Sequence, residues 1–149
     1  IAMGVAIRAG ASPPDLQSVD AFSTALKRAT TIAYASEGTS GNYFIALLEQ
    51  LGIADEVRPK LVAVNGGETA RAVGRGETEF AVVPITSILD AGPRVALAGR
   101  FPDGLDGSIA FDVAVSAASA EPELAERCAA LLASRTVDAA LAARGIDRR

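Results

Sequence analysis

The sequence contains no histidine, no tryptophan and a single cysteine among its 149 residues. The lack of histidine removes the usual general base of a serine or cysteine nucleophile and the commonest metal ligand in proteins. Cys128 has no partner for an internal disulfide, and its helical spacing between Leu124 and Leu132 predicts a buried structural thiol. We therefore expect a protein that is not an enzyme and that uses neither a metal nor a cofactor.

Strong positive charge and long apolar runs are also missing. Lysine and arginine number 14 against 18 acidic residues, which gives a net charge of -4. Nucleic-acid binding would need a clustered basic face, and the only basic cluster is Arg148 with Arg149, which we expect in a frayed end. No apolar run approaches the ~20 residues of a membrane span. With 50% hydrophobic residues, the chain has enough apolar surface to fold.

Short apolar runs alternate with helical patterns through the first two thirds of the chain. Runs bounded by glycine or proline predict strands at residues 5–8, 31–34, 61–64, 79–83, 94–98 and 109–115. Apolar residues at helical spacing predict helices after Ser18, around Phe44 to Leu51, at 54–58 and 68–75, after Pro122, and at 135–144. This alternation predicts an α/β fold with a mainly parallel sheet flanked by helices.

Two polar, glycine-containing loops follow neighbouring predicted strands, at residues 36–42 and 65–69. Ligands of open α/β sheets bind at the carboxyl ends of strands, where helix N-termini offer free amide groups and partial positive charge. These loops therefore predict a site for an anion or an oxygen-rich ligand, although each hydroxyl could instead cap a helix. The candidate ligand-binding residues are Ser36, Thr39, Ser40, Gly41, Asn42, Gly66, Gly67 and Thr69, with Thr86 as a weaker candidate.

Other patterns that could carry chemistry are incomplete. The loop from Ser36 to Gly41 lacks the Lys-Ser or Lys-Thr of a phosphate-binding Walker loop. Asp103 and Asp106 lack the length and the final glutamate of a calcium loop, which favours a solvated turn. No pair of carboxylates can be assigned to acid–base catalysis from spacing alone.

Four stretches, at residues 4–11, 32–41, 74–83 and 113–119, together with short segments at 131–134 and 144–146, resemble a known family. They are similar to the second half of a periplasmic solute-binding protein of an ABC transporter, of the molybdate-binding type with the type II periplasmic-binding fold. The resemblance implies a hinge strand at 1–11, a ligand-binding second lobe at 12–85, and a return segment with hinge strand and C-terminal helices of the first lobe at 86–149. It also implies a ligand held between two lobes, delivery to a membrane permease, and a periplasmic location with a signal peptide upstream.

Three residues depart from what a molybdate site would need. Pro84 stands where the family tends to have a tyrosine hydroxyl, and Glu37 and Glu68 lie in the candidate loops. A carboxylate facing a dianion is repulsive, so either these side chains point away or the ligand is not molybdate.

Alternatives to transport remain open from the sequence. The same fold could serve as a ligand-sensing effector domain of a transcriptional regulator, and a small α/β enzyme that uses only carboxylates is a third hypothesis. The chain opens on an apolar strand with no lead-in, which suggests a fragment. In that case, the strand at 109–115 and the helix around Leu124 should lack cover, and the chain should self-associate through them.

Overall fold

The computed structural model describes residues 1–105 and 107–148. Its strands are β1 (Met3–Arg8), β2 (Ile32–Ala35), β3 (Leu61–Val64), β4 (Phe80–Pro84) and β5 (Val95–Arg100). Its α-helices are α1 (Val19–Arg28), α2 (Thr39–Gln50), α3 (Ala54–Val57), α4 (Thr69–Arg75), α5 (Ile85–Leu89), α6 (Pro122–Ala133) and α7 (Asp138–Ala143). Short 3₁₀ turns occupy Arg58–Lys60, Gly66–Glu68 and Arg135–Val137.

The strands form one five-stranded sheet in the order β3-β2-β4-β1-β5. β2 pairs in parallel with both β3 and β4, whereas β1 is antiparallel to β4 and to β5. All strands except β1 therefore run in the same direction. The predicted α/β class with a mainly parallel sheet is confirmed.

Successive side chains of each strand point to opposite faces of the sheet, and helices cover both faces. On one face, the buried side chains of Phe22, Phe44 and Val57 from α1, α2 and α3 pack against Val5 and Ile32. On the other face, α4 packs through small residues such as Ala70 and Ala72 against alanines of the strands, and α5 packs through Ile88. The alanines on both sides of this contact let α4 approach the sheet closely.

Local signals in the sequence fix several helix ends. The Ser18 hydroxyl accepts a hydrogen bond of 3.1 Å from the Ala21 amide and so caps α1 as predicted. Gly76 ends α4 in the left-handed conformation, with φ 78°. The predicted helix at 135–144 begins as a 3₁₀ turn and continues as α7. None of the described helices is long and apolar enough to cross a bilayer.

The strand predicted at residues 109–115 is wrong. The Ile109 amide still donates to the Ile1 carbonyl at 2.8 Å, but beyond it no described strand lies alongside to supply ladder partners. The side chains of Phe111 and Val113 are consequently 72% and 61% exposed. The predicted hinge strand at 109–115 is therefore a segment without regular secondary structure.

The buried thiol predicted for Cys128 is also wrong, because Cys128 is exposed. None of the described residues of α6 is buried, and Leu124, Leu131 and Leu132 lie about half exposed. The apolar spacing identifies a face of the helix, but no layer of the described chain packs on it. This exposure agrees with the expected uncovered surface, whereas self-association stays a prediction.

Near the C-terminus, the side chain of Arg148 is hydrogen-bonded to the preceding helices, which differs from the frayed end expected there. Its guanidinium pairs with Asp138 at 2.8 Å and donates to backbone carbonyls at the end of α6, including that of Ser134 at 2.8 Å. A cation at a helix C-terminus is favourable because the last carbonyls lack helical partners. Asp106 and Arg149, the other members of the predicted turn and basic cluster, lie outside the described residues.

Candidate functional site

Three turns meet at one edge of the sheet because β2, β3 and β4 are parallel. The turn after β2 leads into α2, the turn after β3 leads into α4, and β4 passes directly into α5 at Pro84. The first two turns are joined, since Ser36 donates to the Val64 carbonyl from its amide at 3.0 Å and from its hydroxyl at 3.3 Å. Ser40 and Gly67 therefore lie at the same carboxyl edge.

The helices that leave this edge go to opposite faces of the sheet. α2 packs in the cluster that holds Phe44, whereas α4 and α5 pack in the cluster that holds Val73 and Ile88. A crevice opens where neighbouring strands send their helices to different faces, which is where open α/β sheets bind ligands. By this rule, we expect the crevice between β2 and its neighbours, β3 and β4.

The first turn of α2 is set close against the end of β2. Gly38 precedes the helix with φ 94° and forms no side-chain cap, and the turn carries no acidic residue. Gly41 is buried, and a Cβ at this position would lie 1.8 Å from the Ala35 carbonyl oxygen. The absence of a side chain at Gly41 therefore lets the first amide groups of α2 reach the edge of the sheet, beside the exposed side chains of Thr39 and Asn42.

The second turn is shaped by its own hydrogen bonds. Gly66 and Gly67 are exposed, with open space where a Cβ would stand. Thr69, by contrast, is fully buried, and its hydroxyl donates to the carbonyls of Asn65 at 3.3 Å and Gly66 at 3.2 Å. Of the candidate donors, Thr69 is turned inward, so the backbone of Gly66 and Gly67 is what this turn presents to the crevice.

The two carboxylates of these turns differ in their surroundings. Glu68 pairs with Arg75 at 2.7 Å and with Arg71 at 3.2 Å, and the hydrogen bond from Arg75, followed by that from Arg71, holds the pKa of Glu68 below its usual range. Its negative charge is thus compensated along α4. Glu37 is exposed and forms no ion pair with another described residue.

A groove of about 610 Å³ adjoins the third turn, between α5 and the end of α7. Half-buried Thr86 and Ser87 line it together with Asp90 and Arg144. Sequence reasoning found Thr86 but missed Ser87 and Arg144. The adjacent hydroxyls after β4 could have indicated Ser87, whereas nothing in the sequence places Arg144 beside them.

Comparison with known proteins identifies the family. The sequence profile described as bacterial extracellular solute-binding protein matches residues 2–147. This chain belongs to that family.

Three similar proteins match nearly the whole length of this chain. Aconitate isomerase from Pseudomonas sp is 27% identical over 145 residues, which cover 97% of this chain and 55% of the relative. The substrate binding domain of a putative molybdenum ABC transporter from Clostridium difficile superposes with a TM-score of 0.68 at 16% identity, covering 97% of this chain and 62% of that one. The Azotobacter vinelandii periplasmic molybdate-binding protein gives 0.62 at 13% identity, covering 99% and 66%.

The two superpositions show that the solute-binding fold is shared. The chain spans about half the length of the curated relative and less than two thirds of each solved chain.

Proposed function

We propose that this chain binds a small polar or anionic solute in the crevice at the carboxyl edge, as part of a periplasmic protein that delivers the solute to an ABC permease. Residues 12–85 would supply the ligand-binding lobe, and residues 1–11 and 86–149 would supply the segments that connect it to a second lobe. The observation that carries this proposal is the first turn of α2, which has no side-chain cap and no acid and which Gly41 brings close to β2.

Backbone amides would make the main contacts with the ligand. The first amides of a helix have no partners within the helix, and the helix dipole places about half a positive charge there. The hydroxyls of Thr39 and Ser40 and the side-chain amide of Asn42 stand beside them and would add donors, whereas the Ser36 hydroxyl already donates to the Val64 carbonyl. Closure of the second lobe would exclude water and strengthen each of these hydrogen bonds.

The compensated charge of Glu68 removes one objection to an anionic ligand. The pairs with Arg71 and Arg75 offset part of this charge, since Arg75 also pairs with Glu77 and Arg71 lies near Asp90. Pro84 supplies no hydroxyl, so a molybdate-like oxyanion would rely on the α2 turn and on Gly66 and Gly67. The similarity to aconitate isomerase supports small carboxylates as an equally suitable class of ligand.

A ligand panel on the full-length protein tests the proposal. Molybdate, sulfate, citrate and cis-aconitate would be compared by thermal shift and titration calorimetry. Saturation at a hundred times Kd should stabilise the protein by about 2.7 kcal/mol, or roughly 5–10 °C for a domain of this size. Ser40→Ala should weaken binding, whereas Thr24→Ala, on α1 beside the opposite edge of the sheet, should not. If no member of the panel produces a shift, the proposal is wrong.

Isomerisation of a small carboxylic acid is a second candidate function. It is favoured by the 27% identity to aconitate isomerase across 97% of this chain. Moving a double bond requires a base that can reach the substrate, and Glu37 is the carboxylate in these turns that no arginine engages within the described chain. Proton NMR of cis-aconitate incubated with the full-length protein should then show the trans isomer. Glu37→Gln should abolish that conversion, and an unchanged spectrum with the unaltered protein excludes this function.

A further inference from the structure

The groove between α5 and α7 begins at Thr86, just beyond the carboxyl end of β4, yet the proposed function gives it no role. Its volume is about 610 Å³. That falls within the range of about 300–1,000 Å³ that is typical of sites for small organic ligands, and a tetrahedral oxyanion would leave most of it empty. The groove therefore has room for a larger solute than an oxyanion.

Arg144 enters this groove from a segment that is held on both sides. Gly145 packs so closely on α5 that a Cβ there would lie 2.7 Å from the Ile85 side chain, and its φ of 72° suits glycine. Two residues farther on, Asp147 pairs with Arg100 at the end of β5, at 2.7 Å. The backbone that carries Arg144 is thus anchored against both α5 and β5.

The polar groups of the groove have capacity to bind a ligand. Within the described chain, Arg144 forms no ion pair, and the hydroxyls of Thr86 and Ser87 form no hydrogen bond. Asp90 is the acidic member of the lining, and it faces Arg71 at 3.9 Å. The groove consequently offers one uncompensated guanidinium and two hydroxyl donors, with Leu89 and Ile146 as apolar walls.

We propose that Arg144, Thr86 and Ser87 form a carboxylate-binding subsite, and that the solute is a small di- or tricarboxylic acid that spans from this groove to the α2 turn. This inference rests on the proposed function and names its class of ligand. A guanidinium binds a carboxylate through two parallel hydrogen bonds, which fixes both its position and its orientation. The amides of the α2 turn would hold a second carboxylate, and the apolar walls would contact the carbon chain.

Calorimetry on the full-length protein tests the inference with citrate, tricarballylate and cis-aconitate on one side and molybdate and sulfate on the other. Arg144→Gln should weaken binding of the polycarboxylates by about tenfold to a hundredfold, as expected for a lost charge-assisted hydrogen bond. Arg144→Lys should weaken it less, and Ser87→Ala by a few fold. The control is Arg135→Gln, which removes an exposed arginine outside the groove and should leave affinity unchanged.

The outcomes separate this inference from the proposed function. Binding of polycarboxylates that is equal in the wild type and in Arg144→Gln overturns the subsite. Binding of oxyanions without any polycarboxylate also overturns it, while the proposed function stands. Failure of the unaltered protein to bind either group contradicts both.

Discussion

Replacing Gly41 by alanine should displace the first turn of α2 from the sheet. The added Cβ would lie 1.8 Å from the Ala35 carbonyl oxygen and 2.9 Å from its carbonyl carbon, both of which are backbone atoms. Reaching even the 3.0 Å limit of real contacts requires a movement of about 1.2 Å. Because neither atom belongs to a flexible side chain, the helix or the strand end itself must move.

The cost of this movement can be bounded. Overpacking that shifts backbone destabilises proteins by about 1–3 kcal/mol, which corresponds to a fall in Tm of roughly 3–10 °C for a domain of this size. The displaced amides of α2 should also lose much of the ligand affinity, because hydrogen bonds weaken steeply with distance and angle.

Urea unfolding followed by far-UV circular dichroism, together with the ligand titrations, would measure both effects. Gly67→Ala is the matched control for stability, since nothing lies within 4 Å of its added Cβ and its φ is not positive. It should be neutral or stabilising by up to about 1 kcal/mol. If Gly41→Ala is as stable as this control and binds the ligand as well as the unaltered protein does, the close approach of α2 to β2 is not what forms the site.

Three further predictions concern the core, the charges of α4 and the exposed apolar surface. Phe22→Ala should destabilise the protein by about 3–5 kcal/mol in urea unfolding, because this fully buried side chain lies at the centre of one face. Arg75→Gln should raise the pKa of both Glu68 and Glu77, measured by NMR titration. The hydrogen bonds from Arg75 lower the pKa of both carboxyls in the folded protein. Their stabilisation of the fold is therefore present above the ordinary glutamate pKa of about 4.5, and it is lost as the pH falls through the lowered pKa values. Leu131→Glu should reduce self-association of the 149-residue chain in sedimentation velocity, and a monodisperse monomer before substitution would contradict the expected association.

Where the sequence carries a complete local signal, prediction and structure agree. β3 lies at residues 61–64 as predicted, because a short apolar run is bounded on both sides by breaking residues. The Ser18 cap is equally local, since its hydroxyl and the amide it binds are three residues apart. The helix α5 was missed because its five residues are too few to display a helical period.

Predictions that depend on distant partners failed or could not be made. An alternating run predicts a strand at 109–115 only if another strand lies beside it, and Cys128 would be buried only if a layer covered α6. For the candidate site, the glycines and hydroxyls of the α2 turn predict a ligand-binding loop, and this stays a prediction. The position of Arg144 beside Thr86 could not be predicted, because it results from the packing of Gly145 on α5.

The overall charge of -4 would disfavour an anionic ligand if binding depended on the field of the whole molecule. At the carboxyl edge, the charges near the ligand matter more than the net charge. There the first turn of α2 carries no acid, and the arginines of α4 pair with Glu68. The opposite edge of the sheet differs: its groove of about 580 Å³ is lined by Asp15, Asp20 and Glu79 against a single arginine, Arg28. The groove beside Thr86, by contrast, is lined by one acid, Asp90, and one arginine, Arg144. Under the proposed function, a negatively charged solute would therefore bind at the ends of β2, β3 and β4 and not at their beginnings.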